Sequence, residues 1–219
     1  MKTKILLLTA TILLFATSCG NRGKNKIEGT DAQSVAAGTG EVIVVDSTAS
    51  SIHWTGFKTG GSHHGTLALK SGSLTLQGTE VTSGSFVIDM HSIVDQDLTD
   101  AAMNKMLVDH LSSPDFFDVA TYPESSFSIT KIEPIATPND SVTHTISGNL
   151  KLKDVDKNIS FRAKVTKEGN VYKAVTVPFT IDRTQWNVKY GSKTIFADLK
   201  DKIIDDNIEL QITIVAKAN

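Results

Sequence analysis

Strict alternation of apolar and polar residues in short runs constrains this chain more than any other feature. His144–Lys153 sets Ile146, Gly148, Leu150 and Leu152 against Thr145, Ser147, Asn149 and Lys151. Ile159, Phe161, Ala163 and Val165 then oppose Ser160, Arg162, Lys164 and Thr166, and Ile208, Leu210, Ile212 and Ile214 share one phase of Ile208–Lys217. Successive side chains of a strand point to opposite faces, so each run predicts a strand with one greasy face.

The same reading extends toward the N-terminus. Ser51–Lys58 puts Ile52, Trp54 and Gly56 on one face, and Ser85–Met90 puts Phe86, Ile88 and Met90 together. Leu67 with Leu69, and Leu74 with Leu76, predict two further strands separated by a turn at Ser71-Gly72. Val171–Asp182 places Val175, Val177, Phe179 and Ile181 on one face. One helix is expected over Thr99–Leu111, capped by Asp97 or Thr99, with Met103, Met106, Leu107, His110 and Leu111 as its apolar stripe. Ser112-Ser113-Pro114 ends it, because the residue before proline avoids the helical region. About eight strands with hairpin signals make an all-β, antiparallel sheet with one buried face. Such a sheet either packs as a sandwich or closes into a barrel, and an eight-stranded barrel is filled by side chains or holds one small ligand.

The N-terminus reads differently. Residues 1–18 have a signal-peptide form: Lys2 and Lys4, an apolar Ile5–Phe15 too short for a stable membrane span, then small residues. Cys19 follows at once and is the chain's single cysteine. This resembles the bacterial lipoprotein processing site, although Ala16 stands where leucine is usual. The resemblance implies lipidation at Cys19, attachment to the membrane through that lipid, and an outer-membrane position facing the periplasm. Residues 19–40 are Gly-, Ala- and polar-rich and are expected to form a flexible tether, with one folded domain over 41–219. A formal net charge of −2 gives no basic footprint for nucleic acid. A lone cysteine excludes an internal disulfide framework.

The inward-facing list is apolar, which suits either a filled core or a tunnel, and periodicity selects neither. Candidate catalytic groups are sparse: no nucleophile elbow and no HExxH motif are present. His110 with Asp115 is the one acid/base pair worth testing against a structure. His63 and His64 are adjacent, so on a strand they point apart, and no metal site is expected from them. Nor is there a phosphate-binding loop or other cofactor motif. Arg183, beside Asp182 at a strand end, reads as a surface ion pair or an anion contact.

One segment stands apart from the strands. His110–Phe127, HLSSPDFFDVATYPESSF, packs four aromatic residues into a Pro-punctuated stretch. Together with Ser51–Leu76, Gly84–Ile93, Ile146–Phe161 and Phe179–Ser192, in that order, it resembles the YceI-like family of exported lipid-binding proteins, over roughly Val44–Val215. The resemblance implies an extended, lipocalin-like antiparallel β-barrel with one flanking helix. It also implies a non-enzymatic carrier of a long amphiphilic chain, such as a polyisoprenoid or fatty-acid derivative. The chain departs from the pattern at Lys153-Asp154, where the family commonly has glycine. On this reading Trp54, Phe86, Ile88, Met90, Leu150, Phe161, Phe179 and Trp186 line the tunnel. Phe116, Phe117 and Phe127 shape one wall or its mouth, and His110 or Arg183 meets the ligand head group. The oligomeric state is left open.

Overall fold

The computed structural model describes residues 23–199 and 203–218. The signal-peptide segment and Cys19 lie outside the described residues. Eight long antiparallel strands form the body: β3 (Ser51–Lys58), β4 (Gly61–Gln77), β5 (Glu80–Asp95), β6 (Glu124–Asn139), β7 (Val142–Leu152), β8 (Val155–Glu168), β9 (Val171–Thr176) and β11 (Ile204–Lys217). They pair in chain order from β3 to β9, β9 also pairs with β11, and β11 returns to β3. The ring is therefore closed. That settles barrel against sandwich, and it leaves no open edge between the first and last strands. Three short strands extend the sheet: β1 (Thr30–Asp31) on β8, β2 (Glu41–Val44) on β4, and β10 (Phe179–Asp182) on β11, where β10 continues the wall beyond β9.

Several local expectations change. Ser71-Gly72 does not turn; β4 runs straight through it, with a register irregularity between Leu69 and Ser71. Such a bulge bends and coils a strand, which an extended barrel requires. The expected single strand over Val171–Asp182 is two strands, because Val177-Pro178 interrupts it and proline has no ladder N–H to give. The interruption also resets the phase. In β9 the inward residues are Tyr172, Ala174 and Thr176, not Val175.

The helix α1 covers Ala101–Ser112 and is capped by Asp100, whose side chain accepts from the N–H groups of Ala102 and Met103. Neither Asp97 nor Thr99 is the cap. The apolar stripe is not a core face: α1 buries none of its residues, and Met103 and Met106 are 52% and 63% exposed. Leu111 at its end, and Phe116, Phe117 and Val119 in the segment beyond it, reach the core.

The N-terminal segment also differs from expectation. From Lys24 onward it is docked along the barrel rather than free. Ile27 N–H donates to Thr180 O, Gly29 N–H to Gln185 Oε1, and Ala36 N–H to Ile129 O, at 2.9, 3.0 and 2.9 Å. Asn149 holds the backbone of Gln33 at both ends, accepting from its N–H at 3.0 Å and donating to its carbonyl at 2.7 Å. Asn158 in turn donates to Asn149 Oδ1 at 2.8 Å. Both asparagines sit on the outer face and are buried by this belt. Composition made the segment look like a tether because its affinity lies in backbone hydrogen bonds, which no side-chain pattern records.

At Lys153 the backbone is left-handed, with φ +54°. Glycine adopts that conformation without cost, and here lysine holds it in the turn between β7 and β8. The β7–β8 hairpin therefore keeps the turn that glycine would make.

Candidate functional site: a two-chambered apolar cavity

The inward faces do not meet at the centre. They enclose a cavity of about 650 Å³ walled by residues such as Leu69, Phe86, Ile129, Ile146, Ala163 and Ile214. A narrower chamber of about 140 Å³ continues among Trp54, Met90, Leu150, Phe179, Ile181 and Leu210. Ile52, Ile88, Phe127, Phe161 and Ile212 line both, so the chambers meet at a waist. The wide chamber reaches the β4–β5 and β8–β9 hairpins, where Thr79, Glu80, Lys167 and Lys173 make its rim polar. The narrow chamber is closed in by hydrocarbon and aromatic side chains. Ser125 is its polar lining residue, and Trp54 lines it with an indole whose buried Nε1–H finds no hydrogen-bond partner among the described residues.

Aromatic rings build the waist. Phe127 lies 6.3 Å from Phe86 and 5.5 Å from Phe161, and Phe161 stacks on Phe179 at 4.8 Å with planes 3° apart. Gly148 allows this. A Cβ there would come within 2.2 Å of the Phe127 ring, so the glycine does not leave room for a ligand; it leaves room for Phe127. Gly148→Ala is therefore expected to push the ring into the waist. The folded state should lose about 1–3 kcal/mol, the usual cost of overpacking. The passage between the two chambers should narrow. Urea unfolding measures the first effect, and the structure of the variant the second.

The structure brings together most of the expected wall. Phe86, Ile88, Phe127 and Phe161 line the wide chamber, and Trp54, Met90, Phe117, Leu150 and Phe179 the narrow one. Phe116 and Trp186 line neither. Trp186 sits in a 3-10 turn (Arg183–Trp186) after β10, where strand phase no longer applies. It is fully buried and donates its indole N–H to Leu150 O at 2.9 Å, so it fills the wall from behind. Phe116 packs against His110, Phe117 and Tyr190, with its ring 5.5 Å from the Arg183 guanidinium.

The two proposed head-group residues also lie elsewhere. His110 packs edge-on against Tyr190 at 4.7 Å and stands 3.7 Å from Asp115, which is exposed. Neither lines a chamber, so this pair cannot act on a molecule inside the barrel. Arg183 is 1% exposed and makes no surface ion pair. It donates to the carbonyls of Asp205, Val188 and Ile204 at 3.0, 2.7 and 3.2 Å, with Asp206 at 3.7 Å. Burial lowers the guanidinium pKa, opposed by the charges of Asp206, Asp182 and Asp205. An arginine stays protonated even so.

Strand phase pointed to Ile146, Val165 and Ile212 without singling them out, and it missed Ile132 because the register of β6 shifts between Ile129 and Lys131. Tyr172 and Thr176 were missed because Pro178 shifts the phase, and the polar rim was missed because it belongs to hairpins, not strand interiors.

A closed antiparallel barrel around an elongated apolar cavity defines a lipocalin-like binding fold. The YceI-like domain model matches residues 44–216, and the chain belongs to that family. Among solved structures it is similar to BcnA of Burkholderia cenocepacia, with 22% identity over 79% of this chain and 99% of that one, at a TM-score of 0.61. It is equally similar in fold, with a TM-score of 0.61, to a polyisoprenoid binding domain from Saccharophagus degradans implicated in plant cell wall breakdown, at 17% identity over 85% of this chain and 100% of that one. Comparison with curated proteins gave no match.

Proposed function

We propose that this protein is a binding protein that carries one long amphiphilic lipid, of the polyisoprenoid or fatty-acid-derivative class. The observation that carries this reading is the waisted apolar cavity, about 650 Å³ continuing into about 140 Å³. That size suits a ligand rather than packing voids, and its two unequal chambers suit a chain rather than a compact molecule. The hydrocarbon tail threads the waist toward Trp54, and the head group stays at the polar rim near Lys167 and Lys173. The name of the Saccharophagus degradans protein, a polyisoprenoid binding domain, supports the ligand class. Carriage rather than chemistry is supported by the position of His110 and Asp115, the acid/base pair singled out in the sequence, which lie outside the cavity.

Export and lipidation at Cys19 complete the reading. With the belt docked from Lys24, whose N–H donates to Glu209 Oε2 at 2.9 Å, only the residues between Cys19 and Lys24 remain as spacer. Those four residues bridge five Cα–Cα steps, at most about 17 Å when extended. The barrel would then ride close against the leaflet that holds its anchor.

Organic extraction of protein purified from envelope-containing cells, followed by mass spectrometry, tests the carrier reading. A single class of long-chain lipid near one molecule per chain is expected. A well-folded sample that yields none, and that takes up none from lipid vesicles, rules out carriage.

A further inference from the structure

Outside the cavity, one cluster has the composition and burial of a metal centre. His63, Asp95 and Asp97 each offer a ligand atom, all within 4.8 Å of one another. The β4–β5 register creates the cluster. Gly65 pairs with Asp95 and Thr66 with Val94, so continuing the ladder sets His63 opposite Asp97. Asp95 and Asp97 are two residues apart and so face the same way. Gly65 is required for the close approach: a Cβ there would fall 1.8 Å from Val94 O. This cross-strand placement explains why adjacency of His63 and His64 was the wrong feature to read. His64 contributes its backbone N–H to Asp97 Oδ1, at 2.7 Å, while its own ring is largely exposed.

The second observation is the state of Asp95. This residue is 7% exposed, yet its Oδ2 has no hydrogen-bond partner among the described residues. Its Oδ1 is occupied, accepting from Leu98 N–H at 2.9 Å and from Asn104 Nδ2 at 3.1 Å. Its carboxyl offers a ligand atom within 4.8 Å of those of Asp97 and His63. Two carboxyls brought together out of water repel unless a proton or a cation lies between them. His63 Nδ1 lies 2.9 Å from Asp97 Oδ2.

We propose that His63, Asp95 and Asp97 form a binding site for a divalent transition-metal ion, with Zn²⁺ the best match. One imidazole and two carboxylates suit Zn²⁺ better than Ca²⁺, which takes oxygen ligands alone. Ligand distances of about 2.0–2.2 Å require the three side chains to draw in slightly, and water completes the shell. The partial exposure of His63 and Asp97, 19% and 25% for their side chains, gives the ion a way in. Asp95 also fixes the turn into α1, since Asn104 Nδ2 donates to its backbone carbonyl at 3.0 Å. The ion therefore acts as a clamp. It ties β4 to the β5–α1 junction at the end of the barrel where Trp54, paired with Gly65, closes the narrow chamber.

Titration of the metal-stripped protein with Zn²⁺ at neutral pH tests the site. One ion per chain is expected, with a micromolar or tighter Kd and an upward shift in Tm. His63→Ala and Asp95→Asn should each weaken binding at least tenfold, while His91→Ala, an exposed histidine on the same strand as Asp95, should not change it. If the Asp95 variant does not fold, Mn²⁺ added to unsubstituted protein locates the site by NMR. Amides of residues 63–65 and 95–98 should broaden first. Absence of saturable binding, binding unchanged in both variants, or broadening centred elsewhere overturns the proposal.

Discussion

Tryptophan at Ala163 is expected to empty the barrel without unfolding it. Ala163 is fully buried and its methyl faces the wide chamber. An indole there occupies space that a ligand chain would fill, in a cavity with room to receive it, so the folding penalty should stay near the low end of overpacking, about 1 kcal/mol. The effect on ligand is larger. Each methylene moved from water into an apolar site contributes about 0.8 kcal/mol. Displacing four of them removes about 3 kcal/mol, which is more than a hundredfold in affinity. The next residue provides the control. Lys164 is exposed on the outer face, and Lys164→Trp adds the same side chain to the same strand without entering the cavity. Extracted lipid per chain, measured for both variants, separates the cases. Equal loading of the two would mean that the ligand, if any, binds outside the barrel.

That contrast is legible in the sequence alone, because the alternation of Arg162, Ala163, Lys164 and Val165 fixes which side chains face inward. The same holds for Ile52, Phe86, Leu150, Phe161 and Leu210, each placed on the cavity side by period-two phase alone. Phase could not say whether those side chains meet. Closure depends on β9 pairing with both β8 and β11, a long-range event with no local signature. Where phase failed, a backbone feature had intervened. Pro178 reset β9 and so hid Tyr172 and Thr176. The end of β10 at Asp182 sent Trp186 behind the wall. Outward polar residues were the other blind spot. Asn149 and Asn158 have the polarity of solvent-facing residues, and both are buried under the N-terminal belt that they hold. Asp95 and Asp97 meet His63 only through cross-strand register, which spacing along one strand does not reveal.

Arg183 shows the same point with the greatest consequence for stability. From sequence it was a charged residue at a strand end. In the fold it closes three backbone carbonyls, those of Val188, Ile204 and Asp205, which belong to the 3-10 turn's exit and the start of β11. Arg183→Met keeps much of the volume and removes every donor. Breaking a buried charged partner in this way costs about 3–5 kcal/mol. For a domain of this size that is roughly 10 °C or more in Tm. Part of the loss comes from Asp206, whose buried Oδ1 has no hydrogen-bond partner among the described residues and lies 3.7 Å from the guanidinium. Adding Asp206→Asn to Arg183→Met therefore tests where the energy resides. Removing the stranded charge should recover a minor share, because three buried carbonyls still lack donors at about 1–3 kcal/mol each. Full recovery in the double variant would instead assign the effect to the ion pair. Lipid content per folded chain should match the unsubstituted protein in both, since Arg183 lines neither chamber. A variant that kept its Tm and lost its lipid would return Arg183 to the head group.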